Sequence, residues 1–375
     1  MKISYLFIKL LKKIGGNKAV LNCLTLFTKK SIEINDAIVA TAQNRLSALR
    51  QDPSGSSMCI NNIEEKPKYN LQIIIPAYNV EKYVEECVES VLSQKTKYEF
   101  IVYIVNDGST DKTRQVLKKY ENEKRVILID QKNRGLSGAR NAALKTINAD
   151  YVTFVDSDDI LDDGAIEALL NKAYATEADV VQGNYKRFKK DVKKYTPGSN
   201  LSESSEAKPN ELPGFAWGKL YKNHLFSHLQ FPEGYWYEDT MCNFLILPQC
   251  KRIATISKYV YCYRKANKSS ITHQTKSNPK CLDSYYITKL VLKEHEQLGI
   301  QEYDYTEKIL NQIQINTERA VRSLKKTDLK YLFVLHCQLF ETYKTGASRS
   351  KSYTEMQEAL EKHRFTQFML SVILH

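Results

Sequence analysis

Between residues 70 and about 265, short apolar runs alternate with stretches of helical spacing. Leu71–Ile75 is a brief apolar run that stops at Pro76, the pattern of a buried strand. In Glu81–Gln94, Val84, Val88, Val91 and Leu92 fall on one helical face. Phe100–Val105, Val126–Ile129 and Tyr151–Val155 repeat the strand pattern, and Asp179–Val181 opens another. Helical stretches lie between them: one capped by Ser109 or Thr110 and running to Tyr120, then Ala139–Ile147 and Gly164–Ala175. This alternation predicts a Rossmann-like α/β fold, a mostly parallel sheet flanked by helices. Such sheets bind ligands outside the carboxyl ends of their strands.

The flanks read differently. From Lys2 to Lys30 there are seven lysines and no acid, with Ile3, Leu6, Phe7, Leu10, Leu11 and Ile14 at helical spacing. Such a helix either lies in a membrane interface, its lysines on lipid phosphates, or packs on its own protein. Gln51–Ser57 is polar and reads as a linker. Beyond about residue 280, glycine and proline nearly vanish, and Leu290, Val291, Ile309, Ile313 and Leu332 sit in long helical stretches. The last apolar piece, Phe365–Leu374, is too short to span a bilayer and suits closing a core or meeting a membrane or partner. Three segments are therefore expected: a basic, helical N-terminal extension over 1–69, an α/β domain over 70–275 and a helical module over 276–375.

With 375 residues, 42% of them hydrophobic, the chain can bury a sizeable core. A net charge of +12 is compatible with nucleic acid, an anionic membrane or phosphorylated substrates. No finger spacing, RNP-like aromatic string or basic heptad is present, which argues against nucleic acid. The eight cysteines are scattered without a CxxC pair, so they read as reduced thiols rather than a disulfide frame or zinc site. No run reaches the ~18–20 apolar residues of a membrane span, and no signal-peptide cleavage site is evident. The expected location is cytoplasmic, with peripheral contact at an anionic membrane through the N-terminal segment as the variant.

Three strand-end segments carry candidate chemistry. Asn106–Asp111 offers a carboxylate, Asp107, followed by glycine and a capped helix. Asp107 can accept a hydrogen bond from a base or ribose, or the segment is a plain loop with an N-cap. Asn133–Asn141 contains two glycines that allow close backbone approach, while Arg134 and Arg140 supply planar donors for phosphate. Asp156-Ser-Asp-Asp159 crowds three acids after an apolar run. Their repulsion calls for a cation, and Asp156 and Asp158, two apart, face the same way in an extended chain. Hard oxygen ligands suit Mg²⁺ or Mn²⁺, although a capped turn is the plainer reading. No GxGxxG or Walker sequence is present.

Ile73–Asn79, Val105–Asp111, Asn133–Asn141 and Phe154–Asp159, in this order, resemble the family-2 glycosyltransferases of GT-A fold over about residues 70–265. The resemblance implies a nucleotide-sugar donor and roles for particular residues. Pro76, Ala77 and Tyr78 would line the nucleotide pocket and Asp107 would bind the base, usually uracil. Arg140 and its loop, with Asn133, Arg134 and Ser137, would contact the donor. Asp156 and Asp158 would form the metal-binding DxD around Ser157, Asp158 being the more direct ligand to Mn²⁺ or Mg²⁺.

Trp236–Thr240 precedes an apolar helix expected over Met241–Leu247, so its acids suit a helix N-terminus. The resemblance makes Asp239 the catalytic base and Glu238 its support. It also puts Trp217, in Trp-Gly-Lys-Leu-Tyr, at the acceptor together with Tyr237, with core packing as the competing reading for Trp217. Arg264 is the implied phosphate contact in a loop that continues through His273. His224 and His228 have metal-pair spacing but no evident third ligand, and read as structural. The implied activity is inverting transfer to a glycan or lipid-linked glycan in cell-surface polysaccharide synthesis. A non-catalytic nucleotide-sugar binder and a membrane-assembly component are the alternatives from other classes.

Overall fold

The computed structural model describes residues 30–265, 278–301, 305–348 and 350–374. The basic helix expected over residues 2–14 and the loop through His273 lie outside them. The chain divides into two compact units, one of Pro53–Ser269 with Lys293–Ile300, the other of Met1–Asp52, Ser270–Leu292 and Gln301–His375. This differs from the three-segment division. The linker-like stretch from Pro53 belongs to the sheet unit, and the residues before it group with the C-terminal helices.

In the sheet unit the strands are β1 (Asn62–Ile63), β2 (Tyr69–Ala77), β3 (Phe100–Asn106), β4 (Val126–Asp130), β5 (Thr146–Ile147), β6 (Ala149–Phe154), β7 (Ile160–Leu161), β8 (Val180–Phe188), β9 (Tyr195–Pro197), β10 (Lys219–Lys222) and β11 (Ile253–Arg264). Nine of them form one sheet in the order β4-β3-β2-β6-β10-β8-β11-β7, with β9 beside β8. The run β4-β3-β2-β6 is parallel, as is the β8–β11 pair. β10 runs antiparallel to both β6 and β8, so two parallel blocks meet across a reversed strand. Two antiparallel junctions leave β6, β8 and β11 pointing the same way, and all three end at one edge of the sheet.

Helix boundaries follow local hydrogen bonding more closely than the apolar spacing suggests. The first helix is Val84–Leu92, shorter than expected, because the chain turns on the Val80 carbonyl, which accepts from the Tyr83 and Val84 N–H groups. Neither Ser109 nor Thr110 caps the next helix, Thr113–Leu117; Asp111 Oδ1 accepts from the Thr113 N–H at 2.9 Å. Ser109 Oγ and the Thr110 N–H instead bond Asn79, tying the loops after β2 and β3 together. The third helix starts at Gly135 and ends at Leu144, so Ser137 and Gly138 lie in its first turns. The helix Ala165–Thr176 matches its expected span closely. The helix expected over Met241–Leu247 is a π-type turn over Cys242–Ile246 followed by a 3₁₀ turn.

The core lies on both faces of the sheet. Ile73, Ile75, Val102, Ile104, Val88, Val91, Leu169 and Leu170 form part of one buried cluster. On the other face Phe154 meets Tyr221, Phe226 and Phe231 at ring separations of 5.9, 5.6 and 5.1 Å, all edge-on.

The second unit is helical: Asp36–Leu49, the part of Asp283–Gln297 up to Leu292, Tyr305–Val321, Lys326–Tyr343, Lys351–Glu361 and Phe365–Leu374. Asn35 caps the first helix through the Ile38 N–H at 3.1 Å. Arg50 grips Asp283 with two hydrogen bonds, 2.7 and 3.1 Å. In Phe365–Leu374 the Phe365 and Phe368 rings lie 5.6 and 5.0 Å from that of Phe333, so this apolar piece closes the core of its own unit. Among the described residues no helix is long and apolar enough to cross a membrane.

Phe154→Ala removes the hub of the edge-on aromatic cluster. A loss of about 3–5 kcal/mol is expected, read as a lowered urea midpoint with an unchanged slope.

Candidate active site

The loops leaving β2, β3 and β6 supply most of the residues singled out in the sequence. Asp107, just past β3, is buried; its N–H donates to the Ala77 carbonyl at the end of β2 (2.9 Å). Its Oδ1 accepts from Gln131 Nε2 (2.7 Å) and the Arg134 N–H (2.8 Å). Its Oδ2 has no hydrogen-bond partner among the described residues. Gly108 lies at φ +69°, where a Cβ would stand 2.9 Å from the Asn133 nitrogen, so glycine lets the Gln131–Arg134 segment close over Asp107. Asn133 Nδ2 donates to the Asp107 carbonyl at 2.9 Å. Pro76 and Ala77 are buried, and Tyr78 is exposed at the strand end.

Asp156 lies two strands along this edge from Asp107, a separation of about 10 Å from strand spacing alone. The turn it opens is closed by the Asp159 N–H on the Asp156 carbonyl (2.9 Å). The Tyr261 hydroxyl accepts from the Asp156 N–H (3.1 Å) and donates to Asp159 Oδ2 (2.8 Å). Asp159 is thus a buried frame for the turn and not a helix cap. Burial pushes its carboxyl well above the usual range, and Asp158 and Asp156 add to the shift. The same three acids, behind burial, raise the neighbouring Cys87 thiol. Ser157 is buried within the turn.

Arg140 joins this turn to the second acidic segment. It is buried in the helix Gly135–Leu144, with Nη2 donating to Asp156 Oδ1 at 2.9 Å and Nη1 to Glu238 Oε1 at 2.7 Å. Its guanidinium lies 4.9 Å from the Phe231 ring and 5.7 Å from that of Phe154. Burial opposes its charge, but the Asp156, Glu238 and Asp239 carboxylates together hold its pKa above the ordinary value. Burial raises Glu238 despite the ion pair, and Asp239 adds to the rise. The two shifts have one origin, a guanidinium and carboxylates buried together, and the guanidinium keeps its charge. Arg140 Nε and Ser137 Oγ, like Asp107 Oδ2, are buried without a partner among the described residues. Such atoms cost about 1–3 kcal/mol each unless a ligand or water meets them.

Glu238 and Asp239 follow Tyr237, which sits at φ +66°, an unusual conformation for a non-glycine residue and one found at functional sites. Glu238 is buried and Asp239 half-buried. Asp239 also lies close enough to act on Lys219, whose ammonium burial lowers to about 8 and whose Nζ donates to the Pro213 and Phe215 carbonyls, both at 2.7 Å.

Two residues have contacts that the resemblance does not imply. Arg264 frames the acidic turn: its N–H donates to Asp159 Oδ1 (2.7 Å), Nε to the Asp158 carbonyl (2.8 Å) and Nη2 to Glu86 (2.5 Å). Its guanidinium also stacks 4.4 Å from the Phe188 ring. Trp217 lies between Phe215 and Tyr261, near-parallel at 4.4 Å each, so its ring faces belong to the core and not to an acceptor sugar. Of the two spaced histidines, His224 Nε2 lies 3.7 Å from Asp179 Oδ1, and the His228 backbone carbonyl accepts from the Cys59 N–H.

One residue escaped the sequence reading. Glu233, in what reads as a simple Pro-Glu-Gly turn, accepts Arg134 in a fork, Nη2–Oε1 at 2.5 Å and Nε–Oε2 at 3.1 Å. Asn141 Nδ2 bonds the adjacent Phe231 carbonyl at 2.8 Å. These contacts fasten the segment leading to Glu238 and Asp239 onto the Asn133–Asn141 region. The turn residues gave a signal for a bend but none for its partner.

Among the described residues no group of three or more His, Cys, Asp or Glu side chains is arranged to hold a metal ion. Asp156 and Asp158 therefore fit Mg²⁺ or Mn²⁺ only as a partial, hard-oxygen set, the remaining ligands coming from substrate phosphate and water. The crowding of Asp156, Asp158 and Asp159 in one turn, which raises the Asp159 carboxyl, is the observation that favours a cation there. Cavities of about 310 and 330 Å³ open at the opposite edge of the sheet, around Tyr174, Lys222 and Arg252, away from these acids.

Comparisons with known proteins agree with this fold. The Glycosyl transferase family 2 model matches residues 72–232. The glycosyltransferase GlyG of Streptococcus pneumoniae is 31% identical over 222 residues, 53% of this chain and 72% of GlyG. GlyA from the same organism is 37% identical over 212 residues, but the match spans only 30% of GlyA and 52% of this chain. The structure of Staphylococcus aureus TarS 1–349 in complex with UDP-GlcNAc superposes with a TM-score of 0.61 at 21% identity, over 80% of this chain and 89% of that one. The architecture is thus that of the GT-A enzymes, a parallel-rich sheet with helices on its faces. The chain belongs to glycosyltransferase family 2.

Burial sets the expected effects of the two arginine contacts apart. Arg140→Met strands Glu238 and Asp156 and should cost about 3–5 kcal/mol of unfolding free energy. The Arg134–Glu233 fork is about a third or more exposed on both sides, so a double-mutant cycle should return a coupling below about 1 kcal/mol. Equal values for the two in urea titrations would contradict the difference drawn here.

Proposed function

We propose that this chain is an inverting glycosyltransferase that moves a sugar from a UDP-sugar to a glycan hydroxyl in cell-surface polysaccharide synthesis. The observation that carries the reading is the Asp156–Arg140–Glu238 bridge, which brings the donor-side acids and the Glu238-Asp239 pair to one guanidinium. Uracil as the base is supported by the free acceptor at Asp107 Oδ2 and by the UDP-GlcNAc complex of the TarS structure.

In this reading Pro76, Ala77, Tyr78 and Asp107 hold the nucleotide, Asn133, Arg134 and Ser137 flank its diphosphate, and Arg140 acts from behind by positioning Asp156 and Glu238. The start of the helix at Gly135 directs free N–H groups toward that anion. Asp156 and Asp158 would hold Mn²⁺ or Mg²⁺, which when bound supplies positive charge to the leaving diphosphate. Asp239 takes the proton of the acceptor hydroxyl as it attacks the anomeric carbon from the face opposite the diphosphate. Glu238, tied to Arg140, fixes the position of Asp239. Tyr237 borders the acceptor. Arg264 acts through the acidic turn as a positioning residue. The proposed location is cytoplasmic, with peripheral membrane contact through the basic N-terminal segment.

The direct test is UDP release from UDP-GlcNAc and other UDP-sugars, with and without Mn²⁺. Slow metal-dependent hydrolysis is expected; no release from any nucleotide sugar would remove the catalytic reading. Asp239→Asn should retain UDP binding while transfer drops about 10²–10⁴-fold. Asp158→Ala should abolish the metal dependence of UDP binding in calorimetry. Near-normal turnover in the first variant would reassign the base, and an unchanged metal requirement in the second would reassign the metal site.

A further inference from the structure

β8 and β9 form a hairpin whose tip carries four lysines against one acid in six residues, Lys189-Lys-Asp-Val-Lys-Lys194. The strands pair in the register Lys186↔Pro197, Arg187↔Thr196 and Phe188↔Tyr195, so the tip is mounted on the main sheet. Asp191 shapes the turn, its Oδ1 accepting the Lys193 N–H at 2.9 Å and its carbonyl accepting the Lys194 N–H at 3.0 Å. Lys189, Lys190, Lys193 and Lys194 are all exposed, and among the described residues none forms an ion pair. Four unneutralised ammonium groups within a Debye length of one another repel, and an anionic partner relieves that repulsion.

The tip leaves the sheet at the edge that carries the acidic turn. Phe188, the last residue of β8, stacks on the Arg264 guanidinium at 4.4 Å, and Arg264 donates to the Asp158 carbonyl. Beside the lysines stands an aromatic pair, Tyr195 and Tyr259, edge-on at 5.6 Å, with the Lys186 ammonium 4.8 Å from the Tyr195 ring. Tyr195 is exposed. Val192, the apolar residue of the tip, is partly buried against Ile160, Phe188 and Cys262, so the tip offers no apolar wedge to a bilayer.

We propose that this hairpin binds a polyanionic glycan, a sugar chain bearing phosphodiester or carboxylate groups, and guides it toward the edge where transfer occurs. The lysines meet the anionic groups, and Tyr195 presents a ring to the sugars between them. The inference rests on the proposed function for its direction of travel, but the binding surface stands on the hairpin itself.

The test uses the full chain and fluorescence anisotropy with labelled dextran sulfate, labelled hyaluronan and neutral dextran of similar length. Changing Lys189, Lys190, Lys193 and Lys194 together to Gln should weaken binding of both anionic polymers about tenfold, and the four-Arg variant should keep it. A control set, Lys66, Lys124, Lys145 and Lys251 to Gln, removes the same charge elsewhere on the unit and should weaken binding far less. Thermal midpoints report folding of each variant, and UDP calorimetry tests the donor-site reading separately, so either reading can fail alone. Equal losses in the two Gln sets would overturn the proposal. So would tighter binding to phosphatidylglycerol vesicles than to dextran sulfate that is lost in the tip variant, because the surface would then be a lipid contact.

Discussion

The site is organised by a single buried guanidinium. Arg140 has one terminal nitrogen on Asp156 and the other on Glu238, inside a wall made by Phe231 and Phe154. In such a place a cation is tolerated only with carboxylates at hydrogen-bond distance, and buried carboxylates only with the cation. Loops 82 residues apart in the chain, one after β6 and one after the Pro-Glu-Gly turn, are therefore fixed to each other. Asp239 belongs to the same electrostatic group. Acids gathered beside a strand edge are what a divalent cation and a proton-accepting carboxylate both draw on.

The sheet topology keeps the rest of the machinery in line with that guanidinium. The reversed β10 lets β6, β8 and β11 finish at one edge, and the Tyr261 hydroxyl of β11 then closes the acidic turn after β6. Arg264, at the end of the same strand, holds the turn from the other side through Asp158 and Asp159. Aromatic rings fill the space behind: Trp217 between Phe215 and Tyr261, and Phe154 against Phe231. The positions of the acids are thus set by side chains that never need to touch a substrate.

Much of this was legible in the sequence. Strands buried on both faces leave nearly continuous apolar runs, so β2, β3, β4 and β6 are legible within a few residues, and the strand-end acids fall at one edge of the sheet. Tertiary pairing was less legible. Nothing local distinguishes an arginine that will meet phosphate from one that will be buried against carboxylates, so Arg264 was read as the former. A Trp-Gly-Lys-Leu-Tyr segment looks the same whether its indole faces a sugar or a stack of rings. Glu233 carried a turn signal only, because its partner Arg134 lies 99 residues away. Helix starts shift for a similar reason: the Asp111 carboxylate accepts the N–H of Thr113, where the helix begins, while Ser109 and Thr110, the candidate caps, are bonded to Asn79.

The central claim is that the Asp156–Asp159 turn, held by Arg140, forms a cation-binding centre shared with a nucleotide diphosphate. Crystals grown with UDP and Mn²⁺, measured at the manganese absorption edge, address it most directly. The account predicts one anomalous peak at the Asp156–Asp159 turn, within bonding distance of a diphosphate oxygen, with the uracil ring against Asp107. Manganese bound elsewhere, or UDP seated at the opposite edge of the sheet near Lys222 and Arg252, would contradict it.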